Sequence, residues 1–227
     1  MQNIERTSQP DIQSIDTIHI TSAKQFSFSN NVPVYSIHSG TEEIIKIDLL
    51  FRAGNWFQPK PLVAQASNEM LTEGSKNFTS QEIAEKLDFY GAILKTNANK
   101  DVAVVSLLTL KKYLRETLEI LNDILINPIY PEEELKTYIR NKKQEFLLER
   151  SRVNNLSKIK FNERLFGNHH PYGKILHLED HDNITRENLV DFHKNYYTAG
   201  NCEILVTGKT DDSVHQTIDE FLGTSQW

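Results

Sequence analysis

FRAGNWFQPKPLVAQASNEMLTEGSKNFTSQEIAEKLDFYGA, residues 51–92, decides the architecture. The apolar run Glu43 to Ala53 (EIIKIDLLFRA) reads as a strand ended by Gly54. Pro59 and Pro61 suit the first turn of a helix over 61–72, where a missing N–H costs nothing, and Gly74 closes it. Thr79 with Glu82 has capping-box spacing, so a second helix spans 80–90, with Gly91 as its C-cap. Strand, helix and helix then lead into Ala92 to Ala98 and Val102 to Leu110, a hairpin around Asn99-Lys100.

Upstream, residues 1–16 are polar and aperiodic and read as a flexible N-terminal arm. Short strands are expected at Thr17 to Ile20, Gln25 to Ser29 and Val32 to Ile37, the last two joined by an Asn30-Asn31 turn. Downstream, Tyr113 to Ile126 is an amphipathic helix stopped by Pro128. Pro131 starts the next, with Glu132, Glu133 and Glu134 at its positive end. That helix runs unbroken toward Gly167 or divides near Asn154-Asn155. After the loop GNHHPYG (167–173), Thr185 caps a helix to about Tyr197. Cys202 to Thr207 is an apolar strand, and Asp211 or Asp212 caps a last helix to Leu222. Adjacent hairpin strands interleaved with helices predict an α+β fold: a mainly antiparallel sheet with helices packed on one face.

The chain has 227 residues, which at roughly 150 residues per domain allows one large domain or two small ones. One cysteine, Cys202, excludes an internal disulfide framework. A net charge of −6 without a basic stripe argues against a nucleic-acid partner. No run approaches the roughly 18 apolar residues of a membrane span, and the start, MQNIERTSQPDIQ, is unlike a secretory signal. These features give the expectations of no membrane association and a cytoplasmic location.

Three constellations could carry chemistry. His177 to His181 (HLEDH) spaces two histidines one turn apart, with His169 and His170 nearby, but sits in a stretch with little room for a helix. It reads as a polar surface loop. Gln65, Asn68 and Glu69 lie at i, i+3 and i+4 and share a helix face, most simply its solvated side. Glu145 and Glu149 lie one turn apart on an acid-rich helix and read as surface charge.

The order of motifs over residues 24–227 resembles the N-terminal domain of the insulinase/pitrilysin family of zinc metallopeptidases, in particular its mitochondrial-processing-peptidase-like members. The carrying segments are FSFSNNVPVYSI, the 51–92 stretch, LTLKKYLRETLEILNDILINPIYPEEEL, HPYGKIL, ITRENLVDFHKNYYTAGNCEILVTGKTD and FLGTSQW. The resemblance implies one domain over 17–227, with the family's second homologous domain absent from this chain.

Active members carry H-x-x-E-H on the first helix, an inverted zinc motif whose Glu is the general base. By resemblance Gln65 stands at the first His, Asn68 at the base and Glu69 at the second His. The third ligand, a later Glu, matches Glu149 best, ahead of Glu145. No intact catalytic or metal set is therefore expected, and no cofactor, although active relatives hold zinc. The four residues should still converge, because the family fold brings the two helices together.

The resemblance also implies that extended substrate adds to a sheet edge near Ala92, Ile93, Leu94, Lys95, Thr96, Asn97 and Ala98, so this strand should keep an open edge. The expected role is a noncatalytic subunit or domain that binds extended peptides. Its expected partner is a homologous subunit with an intact motif, or its own second domain. The alternatives are an active peptidase with an atypical metal site and a non-enzymatic scaffold subunit.

Overall fold

A computed structural model describes residues 20–224 and 227. The expected arm over 1–16 and the strand residues Thr17 to His19 lie outside these; Ile20 is exposed and extends no strand.

Six strands form one sheet: β1 (Lys24–Ser27), β2 (Pro33–His38), β3 (Ile44–Phe51), β4 (Ile93–Ala98), β5 (Ala103–Leu110) and β6 (Cys202–Gly208). Their order across the sheet is β1-β2-β6-β3-β5-β4. Among the described residues, β2–β6 is the only parallel pair. β3 shows why one face is covered. Ile45, Ile47, Leu49 and Phe51 are fully buried, while Lys46 and Asp48 alternate with them and pair at 2.7 Å on the open face. The buried faces of β5 (Ala103, Val105, Leu107) and β6 (Ile204, Val206) continue that layer.

The helices are α1 (Val63–Glu69), α2 (Ser80–Tyr90), α3 (Leu114–Ile126), α4 (Glu132–Ser151), α5 (Val153–Phe166), α6 (Arg186–Tyr196) and α7 (Asp212–Leu222). α1 packs on β4, β5 and α6, and α3 packs on β5, α2 and α7. The local signals hold at several ends. Thr79 and Glu82 form the full capping box of α2, Gly91 ends it at φ 62°, and Asp211 caps α7 through the Val214 N–H at 3.0 Å.

Two boundaries move for physical reasons. The α-helical part of the first helix starts at Val63, not Pro61, because Leu62 adopts φ 71°, and its last turn tightens into a 3₁₀ turn, Met70–Glu73. The long helix breaks at Arg152, two residues before the expected Asn154-Asn155. There the Glu149 carboxylate draws in both the Arg152 guanidinium and the Asn155 amide. Among the described residues no helix is long and apolar enough to cross a membrane.

Buried polar groups tie the segment after α1 to α3. The carboxylate of Asp123 accepts from Ser75 Oγ, from Asn77 N–H at 3.1 Å and Nδ2 at 2.7 Å, and from Asn127 Nδ2 at 3.2 Å. Ser75 and Asp123 are buried, so the bond between them satisfies groups that burial would otherwise strand, while the exposed Asn77 and Asn127 add bonds to the same carboxylate.

Candidate functional site

The entry to α1 is pinned to the β4–β5 hairpin loop. Gly54, Asn55 and Trp56 donate backbone bonds to the carbonyls of Asp101, Asn99 and Lys100 at 3.2, 3.0 and 2.8 Å. A Cβ on Gly54 would meet the Asp101 backbone at 2.5 Å, so only glycine permits the approach. The hairpin loop is itself shaped by Asn99 Oδ1, which accepts from the N–H groups of Asp101 and Val102.

α1 is short and mostly buried. Val63, Ala64, Ala66, Ser67 and Asn68 face the core, which leaves Gln65 and Glu69 half-buried on the outer side. Asn68 is fully buried, and neither its Oδ1 nor its Nδ2 has a hydrogen-bond partner among the described residues. It lies beside Tyr197 Oη. Burial pushes that phenol above its ordinary range and Asn68 opposes the shift, yet no hydrogen bond of good geometry joins the two. An unsatisfied buried amide costs about 1–3 kcal/mol.

Glu69 is the centre of a polar junction between α1 and α4. Its Oε1 accepts from Gln65 Nε2 at 2.8 Å. Its Oε2 accepts from Tyr138 Oη at 2.9 Å and pairs with Lys142 Nζ at 3.0 Å. Lys142 also pairs with Glu145 at 2.9 Å and lies 5.5 Å from the Tyr138 ring centroid. Burial works against the Lys142 charge, but the bonds to Glu145 and Glu69 outweigh it and hold its pKa above the usual lysine range. Burial, and then the Glu69 carboxylate, raise the Tyr138 phenol far above its ordinary value, so it remains a donor.

Of the residues singled out in the sequence, Gln65 and Glu69 therefore touch, and Asn68 turns into the core. Glu149 lines the same cleft as Gln65, but Arg152 at 2.7 Å and Asn155 hold its carboxylate. Glu145 is the acid linked to Glu69, through Lys142. Sequence reading missed Tyr138 and Lys142. The available signal was their spacing: Tyr138, Lys142, Glu145 and Glu149 sit at i, i+4, i+7 and i+11, one stripe along α4.

The cleft beside this junction has a volume of about 390 Å³. The segment leading into α1 (Pro61), α1 itself (Gln65), α4 (Phe146, Arg150), α5 (Ile159) and the 167–173 loop (Tyr172) wall it. The loop is fixed by Lys100 Nζ donating to the Tyr172 carbonyl at 2.9 Å and by the Tyr172 hydroxyl bonding Asp101. Trp56, Phe166, His170 and Tyr172 pack as an aromatic cluster, with ring centroids 5.1–5.8 Å apart. His170 Nδ1 accepts the Tyr172 N–H at 3.1 Å. His181 is buried against Phe146, its Nδ1 directed at the Leu178 carbonyl, in a 3₁₀ turn. His170 and His181 are thus engaged in packing and turn contacts. Among the described residues no three His, Cys, Asp or Glu side chains stand together as a metal set.

β4 is the last strand of the sheet and pairs with β5 alone, beside α1. Ile93, Lys95 and Asn97 are exposed, and Leu94, Thr96 and Ala98 are half-buried over the helices. Ala92 precedes the strand and gives its N–H to Leu87 O at 2.9 Å.

Comparison with known proteins adds the following. A family model described as insulinase (peptidase family M16) matches residues 34–170, more than half of the chain. Another, described as peptidase M16 inactive domain, matches residues 183–227. The chain is 29% identical over 190 residues to mitochondrial-processing peptidase subunit alpha-1 of Dictyostelium discoideum, over 80% of this chain and 28% of that protein. It is 23% identical over 186 residues to an uncharacterized zinc protease of Rickettsia felis, over 80% of this chain and 45% of that one. It thus spans less than half the length of both. A solved peptidase M16 inactive domain from Pseudomonas fluorescens superposes with a TM-score of 0.82 at 23% identity, covering 90% of this chain and 52% of that one. Pitrilysin superposes at 0.77 with 17% identity, covering 92% and 24%. At such identities these two structures establish the fold alone.

Proposed function

The chain belongs to the insulinase family, peptidase family M16, and from that premise we propose that it is a noncatalytic member that pairs with an active peptidase unit and holds extended peptide. One observation carries the reading: the junction of Gln65, Asn68 and Glu69 with Lys142. This donor set does not fit zinc. Catalytic zinc needs three ligands from His, Cys or carboxylate plus a water. Gln65 offers a neutral amide already bonded to Glu69. The charge of Glu69 is met by Lys142. Asn68 has no basic lone pair to take a proton from water, and its burial keeps solvent from it.

β4 supports the peptide-holding part. Its free edge offers N–H and C=O groups to an added strand, with Ile93, Lys95 and Asn97 on one side of the strand and Leu94, Thr96 and Ala98 on the other. The pairing part is supported by the likeness to a protein named as a peptidase subunit. In such a pair this chain would align the peptide and the partner would cut it.

The test uses the purified chain, with metal analysis and a labelled extended peptide. We expect no stoichiometric zinc and no chelator-sensitive cleavage by the chain alone. Amide exchange in residues 93–98 should slow when the peptide is added. Near-stoichiometric zinc with chelator-sensitive cleavage would overturn the noncatalytic reading, and unchanged exchange at saturating peptide would overturn the edge-strand role.

A further inference from the structure

The α1–α4 junction holds two carboxylates, Glu69 and Glu145, drawn toward one point. Like charges this close repel unless a cation lies between them. Here the cation belongs to the chain. Lys142 Nζ stands 3.0 Å from Glu69 Oε2 and 2.9 Å from Glu145 Oε2. An ammonium suits the place because it is a compact point charge with three donors. Both Glu69 oxygens already accept bonds, Oε1 from Gln65 and Oε2 from Tyr138 and Lys142, so its charge is met from within the chain. The side chains of Lys142 and Glu69 are only 24% and 27% exposed, so water screens this pair less than an open surface pair.

We propose that Lys142 takes the electrostatic place of a metal ion and is the residue that keeps the α1–α4 junction closed to divalent cations. The proposal builds on the noncatalytic reading and adds a consequence. Restoring metal-binding residues on α1 alone does not reopen the site. The ammonium remains within a few ångströms of the incoming ion, where it repels the ion and still engages Glu145. Lys142 is a blocking residue that acts through charge and through the carboxylates it occupies.

The experiment measures zinc affinity in the full chain by competition with a chromophoric chelator. One variant carries Gln65→His, Asn68→Glu and Glu69→His; a second adds Lys142→Ala; a third adds Lys142→Arg instead. Removing the ammonium should tighten zinc binding by about tenfold or more, because one nearby positive charge is lost. Lys142→Arg should give no such gain. Equal affinity with and without Lys142→Ala would overturn the proposal.

If the fourfold variant does not fold, Lys142→Met in the otherwise unchanged chain keeps the aliphatic stem and asks the same question. Its melting temperature should rise with added manganese or zinc while the parent's does not, and no cation-dependent rise would overturn the proposal. The two readings fail separately. Zinc and chelator-sensitive cleavage in the unmutated chain count against the noncatalytic reading. A metal-free parent whose fourfold variant gains nothing counts against Lys142 alone.

Discussion

α3 and α5 are almost the same length, 13 and 14 residues, yet α3 buries eight side chains and α5 buries none. In α3, Leu114, Leu118, Leu121 and Leu125 recur at i, i+4, i+7 and i+11 and meet the sheet as one stripe. In α5, Val153, Phe161 and Leu165, at i, i+8 and i+12, lie on one side of the helix and yet are 61–79% exposed. A lone helix of this length is marginal in water, so α3 is stabilised by packing. α5 rests on its own backbone bonds, its contact with α4 and the Glu149 cluster at the break. Identical secondary structure therefore hides a large difference in what an altered side chain would cost.

The largest expected contrast is between the buried face of α3 and the exposed α5. Leu118→Ala, at a fully buried site, should destabilise the domain by about 3 kcal/mol, through lost transfer energy and the cavity left behind. Phe161→Ala on α5 should change stability by no more than about 0.5 kcal/mol. Urea unfolding of both variants checks this, and similar losses would break the comparison.

The polar anchors sharpen it. Asp123→Ala on α3 removes the carboxylate that the buried Ser75 hydroxyl bonds, along with the bonds of the exposed Asn77 and Asn127, and should cost about 1–3 kcal/mol. Glu149→Gln in the last turn of α4, beside the break before α5, weakens exposed pairs and should cost under about 1 kcal/mol. Chemical denaturation midpoints of the two variants make the measurement.

A smaller effect depends on pH. His193 on α6 directs Nε2 to the Leu125 carbonyl of α3 at 2.8 Å, and since a carbonyl only accepts, that nitrogen carries the proton. Burial lowers its pKa from 6.5 to about 4, against the pull of that bond. The unfolded chain therefore takes up the proton first as pH falls. Stability should be intact above about 6.5 and decline between about 6.5 and 4, by at most about 1.4 kcal/mol per unit of pH. His193→Gln should flatten that stretch of a stability-against-pH curve, and an unchanged slope would assign the loss to other groups.

The smallest effect concerns opening rather than folding. Amides of α5 should exchange with solvent well before those of α3, since few buried contacts oppose local unfolding there. Exchange followed by mass spectrometry at pH 7 would show the order, and protection of α5 equal to that of α3 would mean that something covers it.

The sequence by itself determined the features that act over three or four residues. The Thr79–Glu82 capping box, the Gly91 terminus, a cap of α7 at Asp211 or Asp212 and the alternation of β3 were all legible, because each is a contact or a periodicity within one element. The position of Gln65, Asn68 and Glu69 on one helix was legible for the same reason. Only the tertiary structure decided that β6, some 150 residues after β3, inserts between β2 and β3, and that this puts a parallel pair into the sheet. Only it decided that Asn68 turns inward, that Glu149 is taken by the break at Arg152, and that Lys142 from α4 answers Glu69 on α1. Local spacing fixes which side chains share a face. Which charge meets which across two helices is set by how the apolar faces of α1 and the sheet are buried, and that is a property of the whole packed chain.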